Sequence, residues 1–197
     1  MVGAHSVVLG IARFMALLGG VVLTAVILIT CLSILGRAVN SVLHSDIMMS
    51  VAPGLAQWLI DLGIGAVRGA YEMVEAGMAF CIFAFLPFCQ VTSGHASVDV
   101  FTNMLPRGAN RVLDLLIAVA FAVALVTIAL QLNEGMARKL SSGQTSLLLE
   151  YPIWWSYAAS LVGAVLAAIV SVYVVLVRLF ELLTGRVVVP NAVGADH

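Results

Sequence analysis

The sequence predicts an all-α integral membrane protein: four transmembrane helices, plus an interfacial amphipathic helix between the first and second spans. Composition is the first reason, since hydrophobic residues make up 62% of the 197 residues, charged residues 10%, and mean hydropathy is +1.13. A surface that apolar suits lipid rather than water. The second is length: a bilayer core about 30 Å thick takes about 20 helical residues to cross, and four stretches qualify. The third is that backbone N–H and C=O groups find no partner in lipid, so each long apolar run must satisfy its own as a helix.

The first span is expected over 14–36, its apolar run from Phe14 to Leu35 bracketed by Arg13 and Arg37. Its length, without a convincing cleavage site, favours a retained anchor over a secretion signal. The following connection has an apolar part, Ile47 to Ile60, too short to cross. After Pro53, residues Leu55, Trp58, Leu59 and Leu62 recur at helical spacing, with Gln57, Asp61 and Arg68 on the other side. This predicts an amphipathic helix over about 54–68, lying in the membrane interface with Trp58 as an anchor or docked on a partner.

The second span is expected over 73–92, with Glu75 near its start, and the third over 114–133, between Asp114 and Glu134. The loop between them is the most polar part of the chain, with a small amphipathic turn carrying Val98, Phe101 and Leu105. Arg107, Arg111 and Asp114 then cluster where the third span begins, as snorkelling arginines with a local ion pair would. The fourth span is expected over 152–177. Pro152 would occupy its first turn, with Glu150 near the positive end of the helix dipole. Tyr151, Trp154, Trp155 and Tyr157 form either an interfacial aromatic anchor or a set of rings packed on a neighbour.

Within that span Ala159, Gly163, Ala167 and Ser171 make a small-residue stripe at four-residue spacing, and Ser156, Ser160, Ala164 and Ala168 make another beside it. Small residues let helix backbones approach closely in lipid. The close neighbour could be another helix of this chain or a second protein.

The chemistry that the composition excludes is as informative. Net charge is −1, with 9 basic and 10 acidic residues, so the basic field that nucleic acid requires is missing. The centres of the four spans hold no charged residue, whereas ion paths and catalytic groups in membranes usually show one. Only Pro87 interrupts a span, and no internal repeat suggests paired broken helices. The histidines, His5, His44, His95 and His197, are not arranged as haem or metal ligands on facing helices. Cys31, Cys81 and Cys89 lie in apolar runs without C-x-x-C spacing and are expected as unpaired packing residues. No catalytic residue, cofactor or metal is expected. The other classes left open are a membrane redox anchor using His95, Asp99 and Glu75, and an independent small homo-oligomeric transporter.

One series of residues is more specific than composition. Gly36-Arg37 closes the first span, Tyr71-Glu72-Met73-Val74-Glu75 opens the second, and Ser93-Gly94-His95-Ala96-Ser97-Val98-Asp99 follows it. Leu105-Pro106-Arg107 and Arg111-Val112-Leu113-Asp114-Leu115-Leu116 come next, and Thr145 to Pro152-Ile153-Trp154-Trp155 leads into the last span. In this order the chain resembles the small membrane subunit, the DctQ-type small permease, of tripartite ATP-independent periplasmic (TRAP) transporters. Two departures stand out: Ser97 occupies a position that is often basic in the family, and the first connection is longer than usual.

The resemblance implies a multi-pass protein of the bacterial inner membrane with both termini cytoplasmic. Partners would be a large permease subunit, a periplasmic substrate-binding protein that captures an organic acid, and lipid. Basic residues agree only slightly with this orientation: Arg13, Arg107, Arg111, Arg178 and Arg186 inside, against Arg37, Arg68, Arg138 and Lys139 outside. In that frame Arg37, Arg68, Glu72, Glu75, Arg138, Lys139 and Glu150 lie at the periplasmic end as candidate docking charges. His95, Asp99, Arg107, Arg111 and Asp114 would fix the cytoplasmic turn between the second and third spans.

Overall fold

A computed structural model describes residues 2–61, 63, 65–92 and 107–184. Its helices are α1 (Val2–Leu43), α2 (Asp46–Val51), α3 (Pro53–Asp61), α4 (Ala70–Val91), α5 (Arg107–Ser142) and α6 (Trp154–Thr184). Four of them, α1, α4, α5 and α6, are long and apolar enough to cross a membrane. The spans expected from sequence thus exist, but α1 and α5 extend well beyond them. At 42 residues α1 is about 63 Å long at 1.5 Å per residue, far more than the bilayer core. Nothing between Val2 and Leu43 breaks a helix, so it continues into the polar flanks.

The interfacial segment differs more. Two short helices replace the single one expected over 54–68. The first, α2, is capped by Ser45, whose side chain accepts from the Met48 amide at 3.4 Å. The second, α3, stops at Asp61, before Gly63 turns the chain at φ 77°. Its inward contact is Ala56, while Leu55 and Trp58 are exposed. Leu55 and Trp58, two residues of the apolar stripe read from the sequence, thus face away from the bundle, while a single small residue makes the close approach.

Residues shared between helices fix their directions. Gly19 meets Ala84 and Gly77 meets Val26, so α1 and α4 are antiparallel. Phe83 meets Gly163 and Val91 clusters with Val170, so α4 and α6 are parallel. Leu125 and Ala129 pack with Ala164, Ala167 and Ala168, while Gly135 meets Tyr157, making α5 and α6 antiparallel. Contacts run α1 to α4, α4 to α6 and α6 to α5, which puts α4 and α6 in the middle and brings the start of α1 to the same end as the finish of α6. There His5 and Tyr173 stack, with ring centroids 6.3 Å apart.

Small residues set the spacing throughout. A Cβ on Gly36 would overlap the carbonyl oxygen of Gly65, and one on Gly163 would come to 2.9 Å from the Phe83 Cβ and 3.1 Å from its carbonyl carbon. Pro87, fully buried inside α4, has no N–H for the carbonyl four residues back, which is that of Phe83. The close approach of α6 at Gly163 therefore falls on the turn of α4 that its proline has altered. The Cys81 thiol donates to the Gly19 carbonyl oxygen at 3.3 Å, and all three cysteines are free, with Cys81 buried and Cys31 exposed on α1. Hydroxyls of Thr24, Thr30, Thr92 and Thr127 each donate to the carbonyl four residues back, so none presents an unpaired donor to lipid.

A Gly163→Leu substitution is expected to destabilise the chain by about 1–3 kcal/mol, the range for overpacking a close contact. The check is thermal unfolding in detergent. An unchanged midpoint would contradict close α4–α6 packing.

Candidate functional site

The polar groups with the most definite geometry gather at the end opposite the start of α1 and the finish of α6, where α5 turns back into α6. Beyond Ser142, Gly143 takes φ 61°, and the chain reverses through an isolated antiparallel bridge between Thr145 and Pro152. The Ser146 amide donates to the Tyr151 carbonyl at 2.9 Å, and the Ile153 amide to the Gln144 carbonyl at 3.1 Å. Glu150 closes the turn at φ 52°, a conformation few non-glycine residues adopt. Pro152, expected in the first turn of the last helix, instead lies in this bridge, and α6 begins at Trp154. The extended backbone of the bridge explains the shift, since helical geometry can start only once the chain leaves it.

Glu72, in the first turn of α4, holds this hairpin from outside. Its carboxylate accepts from the Ser146 hydroxyl at 2.8 Å, the Leu148 amide at 2.8 Å and the Leu149 amide at 3.0 Å. Bonds to an ionised acceptor are shorter and stronger than neutral ones. Next to it the chain enters α4 through Gly69 at φ 69°, where a Cβ would overlap the Leu149 side chain. Only glycine meets both demands, the left-handed backbone and the close leucine.

Below the hairpin lies a cavity of about 420 Å³ between α4, α5 and α6. Glu72, Glu75, Ser146 and Tyr151 are at its polar end, and Ala79, Phe83 and Leu132 line its apolar walls. The Tyr151 and Ser156 hydroxyls are 3.0 Å apart. Ser160, 2% exposed, also lines the cavity, and its hydroxyl has no hydrogen-bond partner among the described residues.

The other residues singled out from sequence are spread more widely. Arg37, Arg68, Glu75, Arg138 and Glu150 are exposed, and Lys139 is half-buried, donating to the Gln144 side-chain oxygen at 2.6 Å. Trp154 and Trp155 meet edge to face, centroids 6.1 Å apart; Trp155 is 57% exposed and Trp154 half-buried. Gly163, Ala167 and Ser171 are buried, but Ala159 is exposed. A strict four-residue stripe drifts about 40° per step on a helix of 3.6 residues per turn, so the buried face mixes both stripes and includes Ser160, Ala164 and Ala168.

At the opposite end, Arg107 opens α5, and Arg111 and Asp114 are half-buried in its first turns, each with polar partners. His95 and Asp99, with the expected turn at Val98, Phe101 and Leu105, lie outside the described residues. Sequence reasoning did not single out Glu181, which is buried and pairs with Arg178 at 2.9 Å. Their three-residue spacing on one helix was the available signal. It also missed Ser146 and the Leu148 and Leu149 amides, for which no local pattern exists. Among the described residues no three His, Cys, Asp or Glu side chains stand together as a metal site.

A family model described as "Tripartite ATP-independent periplasmic transporters, DctQ component" matches residues 26–182. No curated protein and no solved structure matches.

Glu72→Ala is expected to release the hairpin without unfolding the helices. Hydrogen exchange would show severalfold faster exchange at the Leu148 and Leu149 amides and unchanged protection in α6; Ser146→Ala should have a smaller effect in the same direction. Unaltered exchange in Glu72→Ala would remove the carboxylate from the role of clamp.

Proposed function

This chain belongs to the DctQ component of the tripartite ATP-independent periplasmic transporters, and from that premise we propose that it is the accessory subunit of a sodium-coupled organic-acid uptake system. It is a transporter subunit rather than an enzyme, with four candidate membrane spans. In the proposed complex it packs in the inner membrane against a large permease that carries the substrate and sodium sites. At its periplasmic end it offers part of the surface on which the substrate-binding protein docks, with both of its termini in the cytoplasm.

The observation that carries this reading is the family match over most of the chain, together with four spans whose centres hold no charge. A subunit that moved an ion itself would need charged or broken-helix groups at depth. A scaffold needs smooth helix faces and polar ends.

The docking role falls to charges that are exposed at the hairpin end of the molecule: Arg138, with Glu150 and Glu75 near it in the same end of the fold. Arg37 and Arg68 are exposed near the start of α4 and the finish of α1 and extend the same surface. Glu72 is differently occupied, since its carboxylate already holds the hairpin. Its contribution to docking would be the shape and position of that hairpin. Charges at the rim of an interface act chiefly on encounter rate and salt dependence.

Two outcomes test this reading. Coexpressed with the large permease, the chain is expected to copurify as a one-to-one complex; a chain that purifies folded, self-associated and active in liposomes alone would overturn it. Arg138→Glu is expected to slow uptake severalfold at low binding-protein concentration and to flatten its salt dependence, with the membrane complex still assembled. Normal uptake under those conditions would exclude Arg138 from the docking surface.

A further inference from the structure

We infer that the tip of the α5–α6 hairpin, Leu147 to Leu149, is a membrane anchor seated in the lipid interface at the end opposite the start of α1 and the finish of α6, at a depth set by Glu72. The argument begins with how far the chain travels. Gly135 of α5 meets Tyr157 in the first turn of α6, yet α5 continues to Ser142. Those last residues carry it about 10 Å beyond that level, at 1.5 Å per residue. Ser141, Ser142 and Gln144 there are exposed and polar, as befits the water side.

The chain then comes back. The hairpin bonds reverse it, and the Leu148 and Leu149 amides are tied at 2.8 Å and 3.0 Å to Glu72, in the first turn of α4. Unlike α1 and α5, α4 has only 22 residues, about 33 Å at 1.5 Å per residue, which matches the bilayer core, so its first turn lies at the membrane boundary and holds the tip there. Leu149 packs against Gly69, while Leu147, at the rim of the cavity, is 94% exposed and Leu148 66% exposed.

Two further features suit lipid at that level. Polar backbone groups enter a membrane only if their hydrogen bonds are made within the protein; here the Leu148 and Leu149 amides are satisfied by Glu72, and that of Ser146 by Tyr151. Aromatic residues of the kind that favour the membrane surface also stand at this end of the molecule. Tyr71 precedes Glu72 and is exposed, and exposed Trp155 lies in the first turn of α6. Leucines add the apolar area that aromatic anchors at this end share with lipid.

The test places a polarity-sensitive fluorophore at Leu147→Cys, and at Gln144→Cys as control, in the full chain with Cys31, Cys81 and Cys89 changed to Ala. The chain is reconstituted in vesicles of phosphatidylethanolamine and phosphatidylglycerol with spin-labelled lipids as quenchers. A blue-shifted Leu147 signal, quenched more by a label near the headgroup than by one deep in the chain, and a Gln144 signal unaffected by either, is the expected result. Glu72→Gln in this background should spread the Leu147 signal over depth and reduce its quenching by the shallow label. A Leu147 probe as wet as the Gln144 probe would overturn the proposal, as would shielding that appears only when the large permease is added. Should the cysteine-free chain fail to fold, hydroxyl-radical labelling of the unaltered chain in the same vesicles serves instead: Leu147 and Leu148 protected relative to Leu140 and Gln144 supports the anchor, and equal labelling overturns it.

Discussion

The close approach of α6 to α4 at Gly163 is the contact on which the other helix positions depend. Apolar side chains gain nothing from leaving lipid for one another, so helices in a bilayer associate through fit and backbone proximity. At Gly163 the fit is against backbone, the carbonyl carbon of Phe83 and the nitrogen of Ala84. Side chains elsewhere can rotate to relieve a poor contact, whereas this one cannot. With α4 and α6 fixed together, the buried alanines of α6, Ala164, Ala167 and Ala168, receive Leu125 and Ala129 of α5 on one side. On the other, Ala84 and Gly77 of α4 receive Gly19 and Val26 of α1.

The same pair also organises the polar end. Because α4 and α6 are parallel, the first turn of α4 stands beside the connection that leads into α6. Glu72 can therefore reach Ser146, 74 residues away in sequence, and keep the α5–α6 turn folded over the cavity beneath it. Were α6 antiparallel to α4, that carboxylate would face the wrong end of the molecule. A charged residue at a membrane boundary here acts as a hydrogen-bond acceptor for a loop, which accounts for its place in a chain whose span centres are uncharged.

How much of this was legible in the sequence follows from the range of each interaction. The four spans were, because twenty-odd apolar residues without a charge have few other uses in a chain of this composition. The small-residue face was legible in kind but not in register. Ala159 was included because four-residue spacing ignores the drift of a real helix, and Ser160 was put in a neighbouring stripe although it is buried on the same face. The helix of the first connection was foreseen around Trp58, yet its end at Asp61 and the separate α2 were not, since caps and turns there depend on single residues such as Ser45 and Gly63. The hairpin was wholly hidden: Pro152 before a long apolar run reads as a helix start, and only the bridge to Thr145 shows otherwise. The motif around His95 and Asp99 falls outside the described residues, so its expected role stays with the sequence.

The distribution of polar groups along the bilayer normal argues for a subunit that works through its faces and ends. Ions and acids crossing a membrane need a path of polar groups through its middle, where each unpaired polar group is expensive. In this fold the polar side chains at mid-depth are few and mostly spent on their own helix, as with Thr24, Thr30 and Thr127. The ionic groups sit near the two ends, Glu72 with the hairpin and Arg178 with Glu181, and each holds structure together there. What this fold supplies is a wall of packed helices whose hairpin end is shaped by Glu72.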